Sequence, residues 1–163
     1  MTTALAVTGH MDLTEAAVPA VRAALRALVG RQAPVGLVGI SCLAEGADAL
    51  FAEEVLAAGG RLIAVVPSRD YRDTQVTPEH AGTFDRLLTA AAEVIAMPAP
   101  RADRAAYEAA NGELLARADR LVAVWDGSPP SGRGGGTADT VAQARAAGIA
   151  VDVVWPHGAA RGA

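Results

Sequence analysis

Lysine is missing from this chain: all 14 basic residues among its 163 are arginine. That excludes a Schiff-base enzyme and a phosphate loop of the Walker type, both of which depend on a lysine amine. The single cysteine, Cys42, rules out an intramolecular disulfide and a zinc site built on cysteine pairs. The histidines His10, His80 and His157 are scattered, so neither a metal nor a bound cofactor is expected. Aromatic residues are 4% of the chain and the formal net charge is −4. Such a surface exerts no long-range pull on nucleic acid. No apolar run approaches the roughly 18 residues of a membrane span. The opening MTTALAVTGHMDL also lacks the basic n-region and long apolar core of a secretory leader. The expectation is a cytoplasmic protein with neither a nucleic-acid nor a membrane partner.

What is present fits a packed globule. Hydrophobic residues make up 52% and charged residues 20%, and the length suits one domain burying about two-thirds of its unfolded surface. Apolar runs at 4–8, 35–40, 61–67, 93–98, 120–127 and 150–156 read as strands. Between them lie helical patterns. In the first, Val18, Val21, Leu25 and Leu28 share a face, Asp12 and Glu15 have capping-box spacing, and Gly30 is a stop signal. Further helices are predicted over 44–60, 78–91, 102–118 and 137–147. Residues 68–78 read as a polar loop, and 158–163 as a flexible tail following a domain over 1–157. Strands apolar at successive positions are covered on both faces. Six of them joined by crossover helices predict one α/β domain: three layers, doubly wound and Rossmann-like, with a mainly parallel six-stranded sheet.

In such sheets ligands bind beyond the carboxyl ends of the strands, where strand order reverses. The segment DGSPPSGRGGGTADT places Gly134, Gly135 and Gly136 between a strand and a helix. Glycine lets the backbone approach a ligand closely, and the amides of the following turn form an anion site. Thr137 either caps the helix or donates to a phosphate. Asp139 is either a first-turn charge favoured by the helix dipole or an acceptor for ribose hydroxyls. The dinucleotide fingerprint G-x-G-x-x-G fails, because Thr137 occupies its last glycine position.

Three other strand ends offer candidates. Ser41 and Gly46 either line the site or form a tight turn, with Glu45 and Asp48 as helix-start charges. Gly9 permits close approach at the end of the first strand. Beside it His10 serves a phosphate, a proton transfer or a helix cap; His80 and His157 read as surface residues. Tyr107 and Asn111, four apart on one helix face, stack on and read a base or simply pack. Asp126 suits a sugar hydroxyl or a turn.

Together VTGHMDL, SCLAEGADALFAEEVLAAGGRLIAVVP, ADRLVAVWDG and GRGGGTADTVAQARAAGIAVDVVW resemble the SLOG superfamily of Rossmann-like nucleotide-binding domains. That grouping includes the DprA, LOG and YpsA/YspA-type proteins, and the sequence is most similar to the small stand-alone YspA-like members. The resemblance implies a nucleotide or nucleotide-derived ligand over the glycine loop, and a homodimer or larger homo-oligomer. LOG enzymes carry P-G-G-x-G-T-x-x-E there and use the Glu with a helix Arg to cleave nucleoside monophosphates. In this chain Thr140 replaces the Glu, and the Arg position falls near Ala110 and Asn111. The leading expectation is therefore a nucleotide-binding sensor or ligand-handling module. One alternative is a phosphoribohydrolase of the LOG type, an N-glycosidase using Asp139, Glu45 or His10. The other is a structural oligomerisation module with a vestigial site.

Overall fold

A computed structural model describes residues 2–32, 36–130 and 136–162. Six strands, β1 (Thr3–Gly9), β2 (Leu37–Ser41), β3 (Arg61–Val66), β4 (Glu93–Ala96), β5 (Arg120–Val124) and β6 (Ala150–Val154), form one sheet. All pairs are parallel, in the order β4-β3-β2-β1-β5-β6. The chain winds outward from β1 to β4, then returns to the other side of β1 for β5 and β6. The order therefore reverses between β1 and β5. The helices are α1 (Val18–Gln32), α2 (Ala47–Ala57), α3 (Tyr71–Gln75), α4 (Pro78–Ala90), α5 (Arg104–Ala116) and α6 (Thr137–Ala146).

Period-two alternation sorts the side chains into two cores. Leu5, Val7, Val122 and Val124 pack against α1 and α2, and Leu62 and Ala64 pack beneath α2 and α4. Ala6, Ile63, Val65, Leu121 and Ala123 point the other way, onto α5 and α6. This is the three-layer, doubly wound arrangement read from the apolar runs. Double coverage fails at the sheet edges, where Val94 on β4 and Val153 on β6 stay exposed. An edge strand has one neighbour only, so its side chains are covered less completely than those of the central strands.

Other local differences have local causes. Residues 15–17 form a 3-10 turn, with the Thr14 hydroxyl accepting from the Ala17 amide at 3.2 Å, so Thr14 and not Asp12 caps the entry. Helix α1 passes through Gly30 to Gln32, because an isolated glycine weakens a helix without ending it. Tyr71–Gln75, read as loop, is a short helix. Within the segment read as a flexible tail, residues 160–162 are tied down. Thr14 N–H donates to Ala160 O at 3.0 Å, Gly162 N–H donates to Asp12 O at 2.6 Å, and Arg161 pairs with Asp12 at 2.9 Å.

On the outer surface a charged lattice joins α1, α2 and α4. Arg22 and Arg26 grip Glu54 at 2.9 and 2.8 Å, while Arg22 and Arg86 reach Glu53 at 3.1 and 2.7 Å. Among the described residues no helix is long and apolar enough to cross a membrane.

Candidate functional site

A cleft of about 480 Å³ opens over the carboxyl ends of the strands, at the β1/β5 reversal. Its floor is the end of β1, with Thr8, Gly9 and His10. Cys42, Ala44 and Asp48 come from the β2–α2 connection, and Tyr71 and Gln75 from α3. Helix α5 contributes Tyr107, Ala110, Asn111 and Leu114, whose spacing marks one helix face. Gly136, Thr137 and Ala138 from the start of α6 lie across from them, and Arg161 stands at the rim.

The start of α6 is electropositive. The first intrahelical bond runs from Thr140 N–H to Gly136 O at 3.1 Å. The amides of Thr137, Ala138 and Asp139 therefore lack intrahelical acceptors, and the dipole makes this end positive. Among the described residues no other acceptor takes them. Thr137 is buried and faces the cleft. Gly134 and Gly135 lie outside the described residues. Arg161 is the one arginine among the described residues that lines the cleft, and it reaches Asp12 at 2.9 Å and Asp126 at 3.6 Å.

The same cleft also holds polar groups taken out of water. Asp48 is 8% exposed. Burial pushes its pKa up to about 7, an effect the Ala44 backbone amide partly offsets by donating to the carboxylate. The Cys42 thiol beside it is raised by burial and then by Asp48, so it stays protonated and a poor nucleophile. Tyr71 is raised by burial first and then by Cys42 and Asp48, and half-buried Tyr107 by burial first and then by Cys42 and Asp70. Asn111 is 8% exposed, and among the described residues its Nδ2 has no hydrogen-bond partner.

His10 is held from behind. Its Nε2 lies 2.9 Å from Asp126 Oδ1 and 3.1 Å from the Asp126 amide nitrogen, accepting from that N–H in one tautomer and donating to the carboxylate in the other. Hydrogen bonds from Ser128, followed by His10, hold the Asp126 carboxyl well below the usual carboxylate range. The Trp155 ring meets the imidazole edge-on at 5.6 Å. Asp126 therefore buttresses His10 and does not line the cleft itself.

Other candidate residues fall elsewhere. Ser41 is fully buried; its hydroxyl donates to Asp48 O at 3.2 Å and accepts from Leu43 N–H at 3.0 Å, which leaves it bound within its own turn. Gly46 has φ +83°, and a Cβ there would meet His10 O at 2.6 Å; glycine lets this turn sit against the β1–α1 connection rather than against a ligand. Gly9 lines the cleft, but its small size also admits α2, since a Cβ would come within 2.3 Å of the Ala47 Cβ. Glu45 is exposed and away from the cleft. Asp139 sits in the first turn of α6 without lining the cleft, and among the described residues its buried Oδ2 has no partner. The three candidate catalytic residues thus do not converge. Thr140 is buried and donates back to Gly136 O at 3.1 Å.

Sequence reading did not single out Asp48 or Arg161, which line the cleft. It also placed His80 on the surface. His80 is buried, and its Nε2 donates to Leu43 O at 2.8 Å. Leu43 has φ +60°, a region non-glycine residues rarely enter, so His80 pins the strained turn that carries Cys42 and Ala44. The available signal was weak: a histidine two residues into a helix opened by Pro78.

No family model and no curated protein matches this sequence. Solved structures do share its fold. DNA processing protein A (DprA) from Streptococcus pneumoniae has a TM-score of 0.67 at 18% identity, over 93% of this chain and 50% of that one. This chain thus spans about half the length of DprA. TM1055, a structural genomics target, gives 0.61 at 18% identity over 92% and 72%. The Moco carrier protein from Chlamydomonas reinhardtii gives 0.57 at 21% over 94% and 76%. DprA belongs to the grouping that the sequence resembles, so the fold implied by that resemblance is the one observed.

Proposed function

We propose that the protein binds a nucleotide or nucleotide-derived phosphate ligand in this cleft, as a sensor or ligand-handling module. The observation that carries the reading is the pairing, in one cleft, of two sets of donors that lack acceptors among the described residues: the first-turn amides of α6 and the buried Asn111 amide. A phosphate answers the first and a polar ring the second. A molybdenum cofactor carrier among the proteins of this fold supports ligand handling. Thermal shift of the full chain against nucleoside mono- and diphosphates tests it, because a ligand that binds the folded state raises the melting temperature. Stabilisation in the wild type that is lost in Thr137→Asp, whose carboxylate repels phosphate, is the expected result. No stabilisation by any phosphate ligand returns the protein to a structural oligomerisation module.

One observation favours a second, enzymatic reading: His10 faces the cleft and is oriented by Asp126, as a general base must be. Incubation with nucleoside monophosphates, followed by chromatography for free base, tests this phosphoribohydrolase activity. Release above a blank that vanishes in His10→Gln supports it. We take the protein to self-associate, and the exposed Val94 and Val153 on the sheet edges support this; sedimentation velocity decides it.

A further inference from the structure

We propose that Asp48 and Asn111 in the cleft read a 2-amino-6-oxopurine, making the ligand a guanine nucleotide. In this arrangement the Asp48 carboxylate accepts from the ring N–H and the exocyclic amine, while the Asn111 amide donates to the ring carbonyl. The inference rests on the nucleotide reading of the cleft and names the base that reading leaves open.

The two side chains reach the cleft from opposite layers, Asp48 from the first turn of α2 and Asn111 from the middle of α5. Each is 8% exposed. Among the described residues Asn111 Nδ2 has no acceptor, and no basic side chain pairs with Asp48. A buried amide hydrogen without a partner and a buried carboxyl without a cation are both costly. A ligand that satisfies both at once regains that cost.

Chemistry then narrows the ligand. An ionised carboxylate only accepts, and its two oxygens suit two parallel N–H donors side by side. Asn111 Nδ2 can only donate. The complement is an edge carrying two adjacent donors and then an acceptor. Adenine offers one donor beside a ring acceptor, and cytosine one donor with two acceptors. Uracil offers one donor flanked by two acceptors. Guanine alone among the common bases offers the ring N–H, the amine and the carbonyl in line. Tyr71, Tyr107, Ala110 and Leu114 supply the apolar walls such a ring needs. The amides proposed for the phosphate belong to α6, so base and phosphate are read by different elements.

Calorimetric titration of the full-length wild type with GMP, IMP and AMP tests the assignment on the ligand side, without perturbing the fold. GMP is expected to bind about tenfold tighter than IMP, which lacks only the amine, and AMP more weakly still. Asn111→Ala is expected to weaken GMP binding by about tenfold. Asp48→Asn, which turns one acceptor into a donor, is expected to shift preference from GMP to XMP, whose second carbonyl replaces the amine. Equal affinity for GMP and IMP, or an AMP affinity matching that for GMP, overturns the guanine assignment and leaves the nucleotide reading standing. No binding by any of these nucleotides overturns both. Should Asp48→Asn fail to fold, the wild-type GMP and IMP comparison decides alone.

Discussion

Helix α2 carries two buried carboxyl groups, Asp48 and Glu54, at 8% and 4% exposure, in opposite surroundings. Glu54 is gripped by Arg22 at 2.9 Å and Arg26 at 2.8 Å, and hydrogen bonds from Arg26 lead in holding its pKa below the usual range. Among the described residues no cation pairs with Asp48, and burial raises it to about 7. One carboxyl is paired for packing, ionised, and joined to the α1–α2–α4 surface. The other lines the cleft with no cation beside it among the described residues. Helices place charge where it is needed for cohesion, and leave it uncompensated where something else supplies the partner.

The largest expected effect separates the two by pH. The folded protein holds the Asp48 proton more tightly than the unfolded chain does, so stability declines as pH rises from the ordinary carboxylate value toward about 7, and levels off above it. Between pH 5 and pH 8 this amounts to about 2–3 kcal/mol. Urea midpoints should therefore fall over that range in the wild type, and clearly less in Asp48→Asn. An identical decline in both proteins removes the contrast at its root.

Glu54 has the reverse sign. Its stability contribution is present at neutral pH and disappears as pH falls through its lowered folded-state value. Glu54→Gln is expected to cost about 1–2 kcal/mol at pH 7, less than a fully buried pair because its arginines remain partly hydrated. Nucleotide affinity should not change. If it falls as far as in Asp48→Asn, the division between a cohesive and a ligand-facing carboxyl is wrong.

Two smaller effects sharpen the picture. His80→Ala leaves the Leu43 carbonyl unpartnered and should cost about 1 kcal/mol by chemical denaturation. Because the same turn presents the Ala44 amide to Asp48, the Asp48 titration followed by carboxyl NMR should also move upward. A stability loss with no such movement would confine His80 to packing. Arg161→Ala should change melting least, since its guanidinium is solvent-facing, while weakening phosphate-bearing ligands about threefold at low salt and less at high salt.

The sheet was legible because its signal is redundant: successive apolar residues recur in every strand, and alternating helices leave few alternatives. The six strands and five long helices follow from it, with ends displaced by a few residues. Short or conformationally special pieces were not legible. Tyr71–Gln75 spans too little chain to show a helical period, and Leu43 adopts φ +60° with no glycine to announce it. Within the site, glycines were an ambiguous signal. Gly46 serves packing of one turn on another, and Gly9 admits α2, although both precede helices as ligand-binding glycines do. Asn111 and Tyr107 were recoverable from helical spacing. Asp48 was not, because a first-turn aspartate usually answers the helix dipole, and only tertiary burial gives this one another character.

The strands all run one way, so the chain enters the sheet at the edge away from the cleft and leaves it beside the cleft mouth, where Gly162 meets Asp12. A purification handle or reporter joined before Thr3 would hang clear of bound ligand. The same handle joined directly after Gly162 would emerge next to Arg161 and compete with whatever enters. Affinity measurements should therefore be made on protein tagged at its amino end.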